Sequence, residues 1–205
     1  LLESILDKIQ SPLKVSKLEG DAVLFYGTKK DAPLDEIVAY TAQQLPHMFA
    51  SFYEKREEIK NANLCKCKSC AGIEMLQLKA IAHIGTIIEY TVKGRVEPEI
   101  GGGEVIIPHR LLKNSVKRKP YIVMTDAAYS RFKDASLVAT DSRTERYDSG
   151  TVRIHINYPQ VDGNIFTPAE PSLLGKIGET LHIAYNGYLR LLRIKRSRFR
   201  NLPVV

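Results

Sequence analysis

The sequence predicts an α/β (α+β) domain, a sandwich in which helices cover a sheet. Segments with helical apolar spacing alternate with short apolar or alternating runs typical of strands. No apolar run approaches the roughly 18 residues that a membrane span requires, and no internal repeat is present. The 205 residues, 44% of them hydrophobic and 26% charged, suffice for one domain with an appendage. We assign the domain to residues 1–160 and a helical C-terminal extension with a basic tail to residues 161–205.

The first half of the domain is predicted to contain a helix, a hairpin and a long helix. Leucine and isoleucine recur at helical spacing over the first nine residues, and Ser11-Pro12 ends that helix. The hairpin starts near Leu13 and has a Gly20-Asp21 turn before the apolar strand Ala22–Tyr26. A long helix follows and ends before the cysteines; its apolar stripe consists of Leu34, Ile37, Val38, Thr41, Leu45, Met48, Phe49, Phe52 and Tyr53.

Strands predominate in the second half. Alternation predicts two strands between residues 76 and 90, and it breaks down in the glycine-rich residues 99–103. We expect a short helix over residues 109–113, because Pro108 suits a helix start. A strand at Tyr121–Thr125, a helix over residues 127–132 with Asp126 as its N-cap, and a strand over residues 151–158 complete the domain.

The C-terminal extension combines an apolar seam with a strong positive charge. Residues spaced by three and four suit packing on another helix or on the domain's own sheet; they are Leu174, Ile177, Leu181, Ala184, Tyr188 and Leu191. The chain has a net charge of +7, and its last 26 residues hold six basic residues and no acid. We expect a solvated tail; binding to nucleic acid or to an anionic membrane surface is the alternative. Nucleic acid has little support, because only Phe199 accompanies the last four basic residues.

Three cysteines, Cys65, Cys67 and Cys70, lie within six residues of one another. This cluster is too tight for a disulfide framework, and thiolates near this spacing are typical zinc ligands. A closed zinc site needs a fourth ligand, for which His47 or His83 is a candidate; three reduced thiols without metal are the alternative. We therefore predict a structural zinc ion here.

The N-terminus lacks the pattern of a signal peptide, so we expect a cytoplasmic protein.

Four motifs in order resemble the class III adenylyl and guanylyl cyclases. They are the hairpin motif at residues 17–23, the strand motif at residues 79–85, the glycine-rich start at residues 101–105 and the helix motif at residues 110–112. The resemblance covers about residues 1–130 and implies a ferredoxin-like sandwich with an added C-terminal strand and helix. More narrowly, the hairpin, the cysteine cluster and residues 109–114 resemble an uncharacterised cyclase-like family known only as a domain of unknown function.

The resemblance implies a role for each matching residue. In the family, two carboxylates hold two Mg²⁺ or Mn²⁺ ions on a nucleoside triphosphate. Asp21 matches one of them, and no partner carboxylate is visible. Lys17 matches a position that reads the base, and Glu99 falls near the second such position, where the glycine-rich stretch makes the alignment approximate. Arg110 matches the arginine that stabilises the transition state. Ile106 stands where the family has an asparagine, and an alkyl group cannot orient a ribose.

The resulting hypothesis is a cyclase-homology domain that is catalytically degenerate and that binds a nucleotide or serves as a dimerising regulatory unit. The first alternative is an active adenylate cyclase, which converts ATP to cyclic AMP and is completed by residues upstream of Leu1. The second is a zinc-stabilised interaction module without a nucleotide. Because class III active sites form between two protomers, we expect a homodimer. We expect His83 and His109 to be structural.

Overall fold

The structure is a computed structural model that describes residues 1–62, 72–91, 98–148 and 150–160, together with residues 181, 184, 185 and 188. It confirms the mixed α/β class. Over these residues the helices are α1 (Leu2–Leu6), α2 (Leu34–Ala62), α3 (Gly103–Leu111) and α4 (Asp126–Phe132), with a 3-10 helix at Gly72–Met75. The strands are β1 (Lys14–Glu19), β2 (Ala22–Tyr26), β3 (Lys79–Ala82), β4 (Ile88–Tyr90), β5 (Glu99–Gly101), β6 (Tyr121–Thr125), β7 (Asp141–Tyr147) and β8 (Gly150–Asn157).

A four-stranded sheet in the order β3-β6-β8-β7 forms the centre of the described structure. Strands β3 and β6 are parallel, and the other pairs in this sheet are antiparallel. A parallel pair needs a crossover connection, and α3 lies within the connection from β3 to β6. Two separate antiparallel ribbons, β1-β2 and β4-β5, accompany the sheet.

Strand β6 carries the core of the domain, because all five of its residues are buried. Ile122 and Met124 belong to one apolar cluster with residues of α1, α2 and α4. Tyr121 and Val123, which alternate with them, belong to a second cluster with Leu111 of α3 and two isoleucines of β8. The sheet is therefore covered on both faces, by α1, α2 and α4 on one side and by α3 on the other.

Helix α3 differs from the expectation that a helix starts at Pro108. It begins five residues earlier, at Gly103, after Gly102 has turned the chain with a φ of 122°. The branched residues before Pro108 are therefore helical, although their local preference favours a strand. Val105 and Leu111 are buried against the domain, and this packing outweighs both that preference and the hydrogen bond that Pro108 cannot donate.

Three smaller corrections concern strands and a cap. Residues Glu99–Gly101 continue the sheet pattern as β5, which pairs with β4, because the pairing tolerates the glycine. Strand β7 was not expected at all, since its residues are almost all polar; it is an edge strand that pairs with β8 along its whole length. The N-cap of α4 is Thr125, not Asp126, because the Thr125 backbone is extended while Asp126 is already helical.

The loop between β2 and α2 is held by Asp31, and this carboxylate makes stability depend on pH. Its Oδ2 accepts hydrogen bonds from the Thr28 backbone N–H at 3.0 Å and hydroxyl at 2.8 Å, and Lys14 Nζ lies 2.5 Å from Oδ1. Burial alone would raise the pKa of Asp31, but the hydrogen bonds from Lys14 and Thr28 outweigh burial and hold the pKa below its ordinary value. The carboxylate therefore stabilises the fold at neutral pH.

We expect Asp31→Asn to lower the free energy of unfolding by about 1–2 kcal/mol near neutral pH. Because the pKa of Asp31 is lower in the folded protein than in the unfolded chain, the carboxylate stabilises the fold fully at any pH above the unfolded pKa of 3.8. This stabilisation is lost as the pH falls through the lower pKa of the folded protein. Urea unfolding of both proteins across this range measures the difference. Asp35→Asn is the control, because the Asp35 side chain is 84% exposed and its pair with Arg131 should contribute little. A loss that stays constant down to the lowest pH would contradict the assignment.

Candidate functional site

The tip of the β1-β2 hairpin meets helix α3 through a carboxylate shared by two basic side chains. Lys17 Nζ lies 2.7 Å from Glu19 Oε1, and His109 Nδ1 lies 2.9 Å from Glu19 Oε2. The hydrogen bond from Lys17 is the main cause that lowers the pKa of Glu19; burial opposes it, and His109 adds to it. Glu19 thus joins the strand that carries Lys17 to the helix turn that carries Arg110.

Asp21 and Lys79 extend this corner towards the central sheet. Asp21 is exposed in the hairpin turn, next to Gly20, whose φ of 64° the turn requires. Lys79, at the start of β3, donates a hydrogen bond of 2.5 Å to the carbonyl of Leu112, just after α3. Burial lowers the pKa of Lys79 and nearby Lys119 adds to the effect, whereas Asp21 opposes it. The hairpin tip, the start of β3 and the end of α3 therefore converge.

An open cavity of about 390 Å³ adjoins the end of α3. It is lined by Arg110, Lys113, Arg146, Tyr147 and Asp148. The Tyr147 hydroxyl donates to the Lys113 carbonyl at 3.4 Å, so the β7-β8 hairpin closes one wall against α3. A guanidinium fork and an ammonium group are the side chains that proteins use for phosphate and carboxylate groups. With three cations and one acid in its lining, the cavity is suited to an anionic ligand.

Two of these cations were missed by the sequence reasoning, for different reasons. Lys113 was predicted to be the last residue of the short helix, whereas α3 ends at Leu111, and nothing in the local sequence distinguishes Lys113 from a solvated lysine. Arg146 lies on β7, the strand that was not expected. The structure places Arg110 together with both of them.

A second polar cluster fixes the start of α3 to the end of the sheet. His83, just after β3, has Nε2 at 2.8 Å from Glu104 Oε2 and Nδ1 at 2.8 Å from Thr125 Oγ1. Since a carboxylate only accepts, a neutral His83 donates from Nε2 and accepts the Thr125 hydroxyl at Nδ1. Thr125 is 3% exposed and the His83 side chain 10%, so these two are shielded from water, whereas the Glu104 side chain is 44% exposed. Both ring nitrogens are engaged, which makes His83 a poorer candidate than exposed His47 for a zinc ligand.

The other predicted site residues lie elsewhere. Glu99 is in β5, where the Tyr90 hydroxyl donates to its Oε2 at 3.3 Å, so it lies on a different ribbon from Lys17. Ile106 lies on α3 with its side chain half exposed. Cys65, Cys67 and Cys70 fall outside the described residues. Among the residues that are described, no group of three or more metal-ligating side chains occurs.

No helix within the described ranges is long and apolar enough to cross a bilayer.

Comparisons with known proteins place this arrangement in a family. The family model described as "Protein of unknown function (DUF2652)" matches residues 1–121, a range that includes Lys17, Asp21, Arg110 and Lys113 but not Arg146. A relative from Mycobacterium tuberculosis (strain ATCC 25618 / H37Rv), "Uncharacterized protein Rv2561/Rv2562", is 40% identical over 126 residues, which is 62% of this chain and 56% of the relative. The match thus spans little more than half the length of that relative. No solved structure matches this chain. Because the family model covers more than half of its residues, the chain belongs to the DUF2652 family.

Proposed function

We propose that this chain is a regulatory nucleotide-binding domain, related to the class III cyclases, that binds the phosphate chain of a nucleoside triphosphate beside α3. The observation that carries the proposal is the cavity in which Arg110, Lys113 and Arg146 meet. Two arginine forks and an ammonium can neutralise several phosphate oxygens at once, and the cavity is open enough to admit a flexible phosphate chain. Arg110 is also the residue that matches the phosphate-binding arginine of the resembled enzymes.

The hairpin supplies the remaining parts of the proposed site. Asp21 is an exposed carboxylate near the end of α3, and in this proposal it shares a Mg²⁺ or Mn²⁺ ion with the phosphates. Lys17 would have to leave Glu19 before it could contact a base, because its ammonium group is held 2.7 Å from that carboxylate. Phosphate binding therefore contributes more to the proposed affinity than base recognition does.

Weak catalysis is part of the same proposal. Two-metal phosphoryl chemistry needs more than one carboxylate ligand. Of the two carboxylates at the hairpin tip, Glu19 is held by Lys17 and His109, which leaves Asp21 for a metal ion. The half-exposed alkyl side chain of Ile106 offers no hydrogen bond to a ribose. Binding without efficient cyclisation suits a regulatory domain.

The proposal also includes a homodimer and a structural zinc ion on the three cysteines. Light scattering of the purified protein would test the homodimer, and elemental analysis would test the zinc ion.

Calorimetric titration with ATP and with adenosine tests the proposal. We expect ATP to bind in the presence of Mg²⁺ and adenosine to bind much more weakly, because the phosphates carry the affinity. Arg110→Ala and Lys113→Ala should each weaken ATP binding roughly 10- to 100-fold, the range expected for a lost charge-assisted hydrogen bond.

Arg131→Ala is the matched control for this titration. It removes an arginine from α4, which packs on the opposite face of the sheet, and should leave ATP affinity unchanged. Equal binding of ATP by the Arg110→Ala variant and the unmodified protein would overturn the proposal.

An active adenylate cyclase remains a second candidate because of two strands that are incompletely covered. All five apolar residues of β2 and all four residues of β3 are only half buried, whereas β6 is buried throughout. Among the described strands, β2 pairs only with β1 and β3 pairs only with β6. A further strand that carries a second carboxylate would suit both. Manganese-dependent formation of cyclic AMP, abolished by Asp21→Asn, would favour this candidate over the regulatory one.

A further inference from the structure

The end of α3 and the loop that joins it to β6 form a strongly basic surface. Residues 105–125 contain five Lys or Arg residues and no acid. They are Arg110, Lys113, Lys117, Arg118 and Lys119. The last three lie in the loop, outside the cavity lining, and are exposed. Arg146 of β7 adds a sixth cation, because it lines the same cavity as Arg110 and Lys113.

The middle of this loop is fixed by Glu145 of β7, which is buried. Its Oε1 accepts hydrogen bonds from the Ser115 backbone N–H at 3.0 Å and from the Ser115 hydroxyl at 2.5 Å. The Asn114 side chain donates to the Leu111 carbonyl at 2.7 Å, and Val116 is buried in the cluster beneath α3. Because the middle of the loop is tied down, the cations on either side of it are held in place at the surface.

Most of these cations lack a carboxylate partner. Within the part of the chain that the structure describes, no ion pair forms at five of the six, namely Lys113, Lys117, Arg118, Lys119 and Arg146. Burial lowers the pKa of Lys79 most, and the positive charge of Lys119 lowers it further, so the positive potential reaches strand β3. Like charges held close together repel one another, and a bound polyanion would relieve that repulsion.

Tyrosine rings lie beside the cations. The guanidinium carbon of Arg118 lies 4.5 Å from the centroid of the Tyr158 ring, just after β8. Tyr147 lines the cavity together with Arg146. Nucleobases stack on tyrosine rings and on guanidinium planes, so this surface offers stacking partners as well as positive charge.

Other polyanions fit these observations less well. A lipid surface has little to insert against it, because none of the large, strongly exposed apolar side chains in the described ranges lies on this loop or on β7. An acidic peptide would pair with the cations but would leave the rings unused. A double helix is too wide to enter a cavity of about 390 Å³, whereas a single strand can place its phosphates there.

We propose that this surface binds single-stranded nucleic acid. Phosphates of the strand occupy the cavity beside α3, the phosphates that follow contact Lys117 and Lys119, and a base stacks on Arg118. The inference rests on the proposed function in one respect, because it assigns the cavity to phosphate groups. It goes beyond that function, because a strand needs the loop and a nucleoside triphosphate does not.

Fluorescence anisotropy of the whole chain with a labelled oligothymidylate of about 12 nucleotides tests the proposal. The triple variant Lys117→Ala, Arg118→Ala, Lys119→Ala should bind the oligonucleotide at least about tenfold more weakly. The plot of log affinity against log salt concentration should become less steep by about 2, since each phosphate contact of a single strand contributes about 0.7. ATP affinity should stay unchanged, because these three residues lie outside the cavity lining.

The matched control is the triple variant Lys8→Ala, Lys29→Ala, Lys133→Ala. It removes the same charge from exposed residues elsewhere and should bind the oligonucleotide like the unmodified protein. Equally tight oligonucleotide binding by the loop variant would assign that binding to the basic C-terminal segment and overturn the proposal. Polyglutamate of equal charge that binds as tightly as the oligonucleotide would overturn it in favour of an acidic peptide.

The same measurements separate this inference from the proposed function. ATP binding without oligonucleotide binding would overturn the inference and leave the proposed function standing. Oligonucleotide binding that the loop variant loses, in a protein that does not bind ATP, would support the inference and overturn the proposed function.

Discussion

Replacing Met124 by alanine should lower the free energy of unfolding by about 2–5 kcal/mol. Met124 lies in the central strand β6, has no exposed surface and packs in the cluster that joins the sheet to α2 and α4. Deleting most of its side chain removes apolar burial and leaves a cavity that the flanking helices can only partly fill. Urea unfolding of both proteins measures the loss.

Met75→Ala is the control for this substitution. The same side chain is removed from a residue that is 79% exposed, and the expected change is within about 0.5 kcal/mol. If the two variants lost similar stability, β6 would not be the centre of the core.

Gly85→Ala should cost about 1–3 kcal/mol, although Gly85 itself is exposed. A Cβ atom there would lie 2.8 Å from both the Glu104 Cβ and the His83 Nε2, and it would also overlap the Glu104 carboxylate. The carboxylate could swing away, but the Glu104 Cβ is fixed to α3. The loop or the helix must therefore shift, which would break the hydrogen bonds of shielded His83 and Thr125.

Gly103→Ala is the matched control in the first position of α3. A Cβ atom at Gly103 would meet nothing within 4 Å, so alanine should be neutral or should stabilise the protein by up to about 1 kcal/mol. Thermal unfolding of the two variants measures the difference: the melting temperature of Gly85→Ala should fall, and that of Gly103→Ala should stay unchanged or rise. A Gly85→Ala protein as stable as the Gly103→Ala protein would show that the cluster of His83, Glu104 and Thr125 does not fix α3.

The elements predicted correctly are those whose local pattern agrees with their final environment. Strand Ala22–Tyr26, the long stripe of α2 and strand Tyr121–Thr125 combine suitable composition with the right period. Strand β7 could not be predicted, because its residues are almost all polar and show no alternation of apolar and polar side chains. It is a strand because it pairs with β8 at the edge of the sheet. Helix α3 was misjudged because the branched residues before Pro108 favour a strand locally, and burial of Val105 and Leu111 decides otherwise.

The candidate site was only partly accessible from the sequence. The resemblance indicated Lys17, Asp21 and Arg110, and the structure shows that the hairpin and the end of α3 do converge. Glu19 was not singled out, although its position two residues after Lys17 on the same strand gives both side chains the same face. Arg146 reaches the cavity only through the pairing of β7 with β8, which no motif reports.

The most direct test of the account is to locate the binding of inorganic triphosphate by a two-dimensional amide NMR titration of the whole chain. The proposed site predicts saturable shifts that cluster at residues 110–113 and 145–148, and that Arg110→Ala strongly reduces. The basic C-terminal segment provides an internal comparison, because its last 26 residues carry six basic residues and no acid. Shifts confined to residues 180–205, or no saturable shifts near α3, would contradict the claim that the cavity beside α3 is a phosphate-binding site.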